Sequence, residues 1–156
     1  MSMDITIRPA KPEDDETFAE HYLAMWEANG MGANALLPDA KERVLAFLPD
    51  ARQRLAWQGF IAERDGHPVG SGGGQLYAGL YPQILAEGTR KYGYLWGIYV
   101  EIGQRRRGVA RALAQASITY LRGLGCTRAI IHTTPYGREL FAHLRFLSTN
   151  EMYLDL

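Results

Sequence analysis

A chain of 156 residues with 47% hydrophobic and 22% charged side chains is a globular mixture, neither disordered nor fibrous. It is long enough to bury about 68–70% of its unfolded surface as one domain. Its 17 Lys and Arg balance 17 Asp and Glu, so no net charge draws it to nucleic acid or to an anionic membrane. The charge is nonetheless uneven: acids gather in EDDE at 13–16 and bases in RRR at 105–107.

The lone Cys126 can form no intrachain disulfide and has no zinc-type spacing, which suits a reducing, cytoplasmic setting. The opening MSMDITIRP has neither a basic region nor an apolar stretch, and no segment reaches the roughly 18 apolar residues of a membrane span.

Taken in order, residues 4–8 alternate Ile5 and Ile7 with Thr6 and Arg8, a short half-buried strand stopped by Pro9. Pro12 and the acids at 13–16 suit a helix N-terminus, and Phe18, Tyr22, Met25 and Trp26 form one apolar face that ends near Asn29 and Gly30. A small-residue stretch, 30–37, leads to a second helix. That helix carries Val44, Leu45, Phe47 and Leu48 and runs to Pro49 or, kinked, slightly beyond. Residues 60–63 read as a strand, Asp65-Gly66 as a hairpin turn, and 67–77 as the returning strand. After a loop at 78–90 rich in Gly, Pro and Tyr comes YGYLWGIYV at 92–100, a central strand. From Val109 the period becomes helical, with Leu113, Ala116 and Tyr120 on one face, and the helix ends near 123–125. Residues 128–134 return as a strand, Pro135 opens a last helix with Leu140, Phe141 and Leu144, and 151–156 offer a closing strand.

The informative unit is strand, QRRRGVA at 104–110, helix, strand. A helix N-terminus presents unpaired N–H groups and partial positive charge, a ready site for one phosphate or pyrophosphate. Gly108 permits close backbone approach, Ala110 keeps the helix start small, and Arg105, Arg106 and Arg107 can add charge-assisted hydrogen bonds at the rim. The other glycine run, GSGGGQ at 70–75, lacks the Lys-Ser or Lys-Thr of a P-loop. It also has Gln75 where a dinucleotide fingerprint needs Gly, so it reads as a bulged strand.

On these residues the chain resembles the GCN5-related N-acetyltransferases. The family's hallmark is Arg or Gln, two residues, Gly, one residue, Gly or Ala. Arg105, Gly108 and Ala110 fill it after a strand ending Ile98, Tyr99, Val100. A second, degenerate family pattern falls on Thr134, Gly137, Leu140, Phe141 and Arg145-Phe146, of which Leu140 and Phe146 are as expected. The resemblance implies a single α/β domain over 1–156, with a central, mainly antiparallel mixed sheet flanked by helices on both faces. The element order would be β-α-α-β-β-β-α-β-α-β.

It further implies that amides of about Arg105 to Ala110, Val109 included, bind the pyrophosphate of acetyl-coenzyme A. Thr134, Gly137 and Phe141 would line the same cofactor. The strand 92–100 would splay from its neighbour near 98–101, with Ile98 N–H polarising the thioester carbonyl and Tyr99 and Val100 beside pantetheine. Many members protonate the leaving thiolate from a Tyr where this chain has Phe141, which cannot donate; Tyr136 is the nearest phenol in sequence. Tyr94, four residues before Ile98, either acts as base or lines the substrate pocket, and Glu101 is the other candidate base. His132 and His143 read as structural, and no metal constellation is present.

The acceptor is expected to be a small-molecule or peptide amine, met by Tyr22, Trp26, Tyr77 and Tyr81, with Glu27 and Glu87 as possible cation partners. A non-catalytic acyl-coenzyme A sensor is the competing function; a basic-loop nucleic-acid or protein-interaction domain is a second alternative. No nucleic-acid or membrane partner is expected, and a homodimer is left open.

Overall fold

The computed structural model describes residues 4–79 and 81–156; residues 1–3, and Leu80 within the expected 78–90 loop, lie outside it. Strand β1 (Thr6–Pro9) is followed by helices α1 (Asp15–Ala28) and α2 (Ala40–Leu55), then strands β2 (Gln58–Arg64), β3 (His67–Leu76) and β4 (Tyr92–Val100). Helix α3 (Val109–Gly123), strand β5 (Arg128–Ile130) and helix α4 (Arg138–His143) complete the elements. The five strands lie in sequence order, with β1 to β4 antiparallel and β5 parallel to β4.

Helices α1 and α2 cover one face, where Phe18, Leu48, Ala51 and Trp57 are buried with Tyr22 and Trp96 against them. Helices α3 and α4 cover the other, where Leu95, Ala114, Leu121 and Phe141 form one cluster and Val100, Val109 and Leu113 another. The α2 helix runs six residues past Pro49 to Leu55, because Leu48 and Ala51, both fully buried, anchor it on either side of the proline. Packing here outweighs the hydrogen bond that proline forfeits.

The acidic run at 13–16 is spent on holding elements together. Asp14 takes the Arg8 guanidinium at 2.8 Å, and Arg8 also reaches Glu63 at 2.7 Å, joining β1, β2 and the start of α1. Asp15 pairs with Arg52, and Glu16 with Lys41 at 2.6 Å, clasping α1 to α2. Arg8 holds the Asp14 carboxyl below the usual carboxylate range. Part of the charge asymmetry is therefore structural.

Two expectations need correction at the C-terminal side. The strand expected over 128–134 stops at Ile130, and residues 151–156 form no strand. A strand is stable only against a neighbour, and this segment reaches the end of β5 through a side chain, Glu151 to His132, instead of a backbone ladder. Met152, Tyr153, Leu154 and Leu156 consequently stay exposed.

Candidate active site

The register between β3 and β4 slips in mid-sheet. Gly73 faces Trp96 and Ser71 faces Tyr99, so Gly97 and Ile98 together oppose Gly72, a β-bulge on β4. Gly97 has φ +72°, in the left-handed region that glycine enters without cost. The side-chain alternation changes phase across this bulge. Trp96 packs with Phe18 and Tyr22 on the α1–α2 face, and Tyr99 sits beside His21 on that same face, three residues on where strict alternation demands an even separation. Leu95, Ile98 and Val100 accordingly line the α3 side.

Beside the bulge the sheet opens. Strand β5 pairs with β4 only from Tyr92 to Tyr94, so residues 95–100 have no strand partner on that edge among the described residues. The unpaired edge begins two residues before the bulge, and the chain beyond β4 turns through residues 101–108 into α3. Gly108, φ +80°, is the N-cap of α3, and Arg106 is also left-handed at φ +63°. No side chain caps this helix end, so its first-turn N–H groups are left without a side-chain acceptor.

Of the three arginines, Arg105 folds back: its Nε donates to Val100 O at 2.9 Å and its guanidinium lies 5.5 Å from the Tyr99 ring centre. Arg106 and Arg107 are exposed, and among the described residues none of the three is ion-paired to a carboxylate. Val109 is buried and Ala110 half-buried, packed in the α3-side core. Thr134 O accepts the Gly137 N–H at 3.0 Å in the turn before α4. Phe141 is buried on Phe146, whereas Tyr136 is 88% exposed.

On the α1–α2 face a cavity of about 350 Å³ is lined by Tyr22, Arg43, Val44, Phe47, Gln75, Tyr94 and Trp96. Its walls are mostly aromatic: Trp96 meets Tyr22 at 5.1 Å and Phe47 at 5.7 Å between ring centres, edge to face in both cases. The Trp96 indole N–H donates to Gln75 Oε1 at 2.9 Å, which fixes the ring. Tyr22 and Tyr94 thus line one cavity together. Trp26 stands behind Tyr22 at 6.3 Å without lining the cavity, and Tyr77 and Tyr81 line a separate cleft on the β5 side. Glu27 is exposed, and Glu87 lies 3.5 Å from Lys91.

The sequence reading missed a buried polar cluster under the bulge. His21 Nδ1 is 2.9 Å from Ser71 Oγ, and His21 Nε2 is 3.8 Å from the Glu101 carboxylate. His21 is 8% exposed, and burial lowers its pKa below the ordinary value of about 6.5, against the opposing pull of Glu101. The signal was present in outline: His21 lies three residues after Phe18, on the helix face that meets the sheet. Because the folded-state pKa is depressed, the unfolded chain takes up the proton first. Stability is therefore complete above about pH 6.5 and is lost as pH falls through the lower, folded value. Urea midpoints measured from pH 8 to pH 5 are expected to decline over that lower range, and His21→Gln is expected to remove this part of the decline.

Comparison with solved structures places the geometry. A GCN5-related N-acetyltransferase from Ralstonia eutropha JMP134 superposes with a TM-score of 0.80 at 25% identity, over 98% of this chain and 99% of that one. A predicted acetyltransferase from Clostridium acetobutylicum, solved with acetyl-CoA, gives 0.79 at 18% identity, over 98% and 96% of the two chains. The aminoglycoside N-acetyltransferase AAC(6')-Iy in complex with CoA gives 0.73 at 20% identity, over 100% and 96%. A search of curated proteins finds no match. The Acetyltransferase (GNAT) family model matches residues 16–144, which takes in both helices over the cavity, the bulged strand, the Gly108 turn and α4. The chain belongs to the Acetyltransferase (GNAT) family.

Proposed function

We propose that this chain is an acetyl-CoA-dependent N-acetyltransferase acting as one catalytic domain. In this reading it passes the acetyl group directly to a primary amine of a small molecule or peptide in a ternary complex. The observation that carries the proposal is the opening of β4 from β5 beside the Gly97–Ile98 bulge, directly ahead of the Gly108-capped start of α3. An unpaired strand edge can hydrogen-bond an extended amide chain such as pantetheine, and a helix N-terminus with uncapped N–H groups fits a pyrophosphate.

In this reading the amides of residues 105–110 hold the pyrophosphate, with Arg106 and Arg107 at its rim. The β4 edge from Ile98 to Val100 holds the pantetheine arm, with Ile98 N–H aimed at the thioester carbonyl; Thr134, Gly137 and Phe141 close the β5 side. Acetyl-CoA supplies the activated acyl group, so the protein's part is to gather the reactants, stabilise developing negative charge on oxygen and remove a proton. Tyr136, exposed at the entry to α4, serves as the phenol that protonates the leaving thiolate in place of buried Phe141. The half-buried Cys126, whose thiol burial pushes up, fits a reducing cytoplasmic setting.

The acceptor belongs in the cavity of about 350 Å³ against Tyr22, Phe47, Tyr94 and Trp96. None of its lining residues is a carboxylate, and Arg43 is its one charged member. That favours a single amine on an apolar or aromatic body over a polycation such as an aminoglycoside, which needs several carboxylates. A thiol-release assay with acetyl-CoA against arylalkyl monoamines, peptide N-termini and aminoglycosides is expected to rank the first highest. Phe47→Ala removes a cavity wall that is 39% exposed, so folding is preserved. It is expected to raise KM for the acceptor about 10- to 100-fold with KM for acetyl-CoA unchanged.

The sensor alternative draws support from Phe141, buried where a donor phenol would otherwise act. Stoichiometric acetyl-CoA binding without thiol release toward any amine would favour it.

A further inference from the structure

Tyr94 stands on the wall between two spaces. It lines the aromatic cavity on the α1–α2 face, while the residue it touches, His132, lines a wider cleft of about 860 Å³ that opens beyond β5. Tyr94 Oη is 2.9 Å from His132 Nδ1, and His132 Nε2 is 2.9 Å from Glu151 Oε2. The three residues come from β4, from just beyond β5 and from the C-terminal segment, and the line they form crosses the place where β4 and β5 part.

The bonds dictate their own polarity. A carboxylate only accepts, so Nε2 carries the hydrogen toward Glu151; Nδ1 then holds a lone pair and accepts the Tyr94 phenol proton. This is the order of a nucleophile–base–carboxylate triad, with a phenol at the reactive end and a carboxylate orienting a neutral imidazole. The phenol is half-buried and burial raises its pKa, so it does not stand as phenolate and passes a proton only if it gives one away. His132 and Glu151 are 51% and 69% exposed at the side chain, so the outer end meets water.

Resting on the acetyltransferase reading above, we propose that Tyr94, His132 and Glu151 form a proton exit from the acceptor cavity to the outer cleft. As the amine nitrogen bonds to the acyl carbon, the carbonyl electron pair moves onto oxygen beside Ile98 N–H, the amine N–H proton passes to Tyr94 Oη and the Tyr94 O–H proton passes to His132 Nδ1. Collapse of the oxyanion then breaks the C–S bond, and the thiolate leaves with a proton from Tyr136. The imidazolium formed on His132 is held by Glu151 and returns its surplus proton to water from the half-exposed ring. His21 cannot take this part, because its Nδ1 is engaged by Ser71 and it does not line the cavity. Tyr22, Tyr77 and Arg43 lie around the phenol or its cavity, and Arg90, Arg122, Arg128 and Arg145 line the outer cleft. The arginines oppose an imidazolium, and Glu151 offsets them.

The experiment is steady-state kinetics across pH on the full chain, with acetyl-CoA and the best amine of the panel. Tyr94→Phe is expected to lower kcat about 100-fold. His132→Ala should lower it at least tenfold, lose the one-proton acid limb of the wild-type kcat profile and recover part of its rate in added imidazole. KM for acetyl-CoA should stay within about twofold in both variants. Nitrogen-15 NMR of the wild-type protein should report the Nε2–H tautomer at His132. An unchanged pH profile in His132→Ala with no imidazole rescue, or an Nδ1–H tautomer, overturns the relay while the acetyltransferase reading stands. Absence of thiol release by the wild type with every amine removes that reading and the relay together.

Discussion

Gly97→Val is expected to cost the protein both stability and its acetyl-CoA site. At φ +72° a β-branched residue is strained by roughly 1–2 kcal/mol, and a Cβ there would stand 2.6 Å from Phe18 Cζ. Phe18 cannot yield. It is 2% exposed and packs edge-on against Trp57 at 5.1 Å and Trp96 at 5.2 Å between ring centres. Overpacking adds about 1–3 kcal/mol, so the sum is a large part of the 5–15 kcal/mol that keeps a domain folded. The strand can escape only by losing its bulge, and that would throw Ile98 and Val100 out of the α3-side core. Gly97→Ala is the milder form of the same test. Its urea midpoint should fall and its acetyl-CoA affinity, by calorimetric titration of the folded protein, should weaken at least tenfold. Wild-type values for both would show that the bulge does not build the site.

The second expectation separates backbone from side chain in the basic turn. At Gly108 an added Cβ meets nothing within 4 Å, so Gly108→Val acts chiefly through φ +80°, at about 1–2 kcal/mol, and re-aims the amides at the start of α3. Arg106→Ala removes an exposed guanidinium and leaves the backbone as it was, since both residues pay equally for φ +63°. If the amides hold the pyrophosphate, Gly108→Val should weaken acetyl-CoA binding tenfold or more and Arg106→Ala only about threefold. The reverse order would transfer the work to the arginine side chains and would come with strong dependence on salt.

The acidic and basic clusters at 13–16 and 105–107 look equivalent as letters, and the fold treats them in opposite ways. Asp14, Asp15 and Glu16 each find a cation on β1 or α2, whereas Arg106 and Arg107 stay exposed beside an uncapped helix end. Sequence patterning could mark both clusters but could not pair them, because Arg8, Arg52 and Lys41 reach the acidic run only after β1, α1 and α2 are packed together.

Most of the elements, the helix from Val109 among them, were legible because they rest on local periodicity, whereas the mixed, mainly antiparallel sheet was expected only through the family resemblance. The 128–134 and 151–156 strands were misjudged for the complementary reason: β-propensity describes a segment willing to pair, and pairing needs an edge that only the assembled sheet supplies.

The same division runs through the site. The Arg105, Gly108 and Ala110 spacing marks, without help from the fold, the turn proposed to hold the pyrophosphate, since one stretch of chain builds it. The aromatic cavity, the His21–Ser71–Glu101 cluster and the Tyr94–His132–Glu151 line each join side chains from three or more separate segments of the chain. Even the face on which Tyr99 lies depends on a one-residue bulge that period-two reasoning carries straight past. By itself the sequence singled out the turn proposed to hold an anion and most of the order in which strands and helices follow. Tertiary structure alone decided which side chains share a cavity and which protons have somewhere to go, because those depend on distances between segments that are remote in the chain.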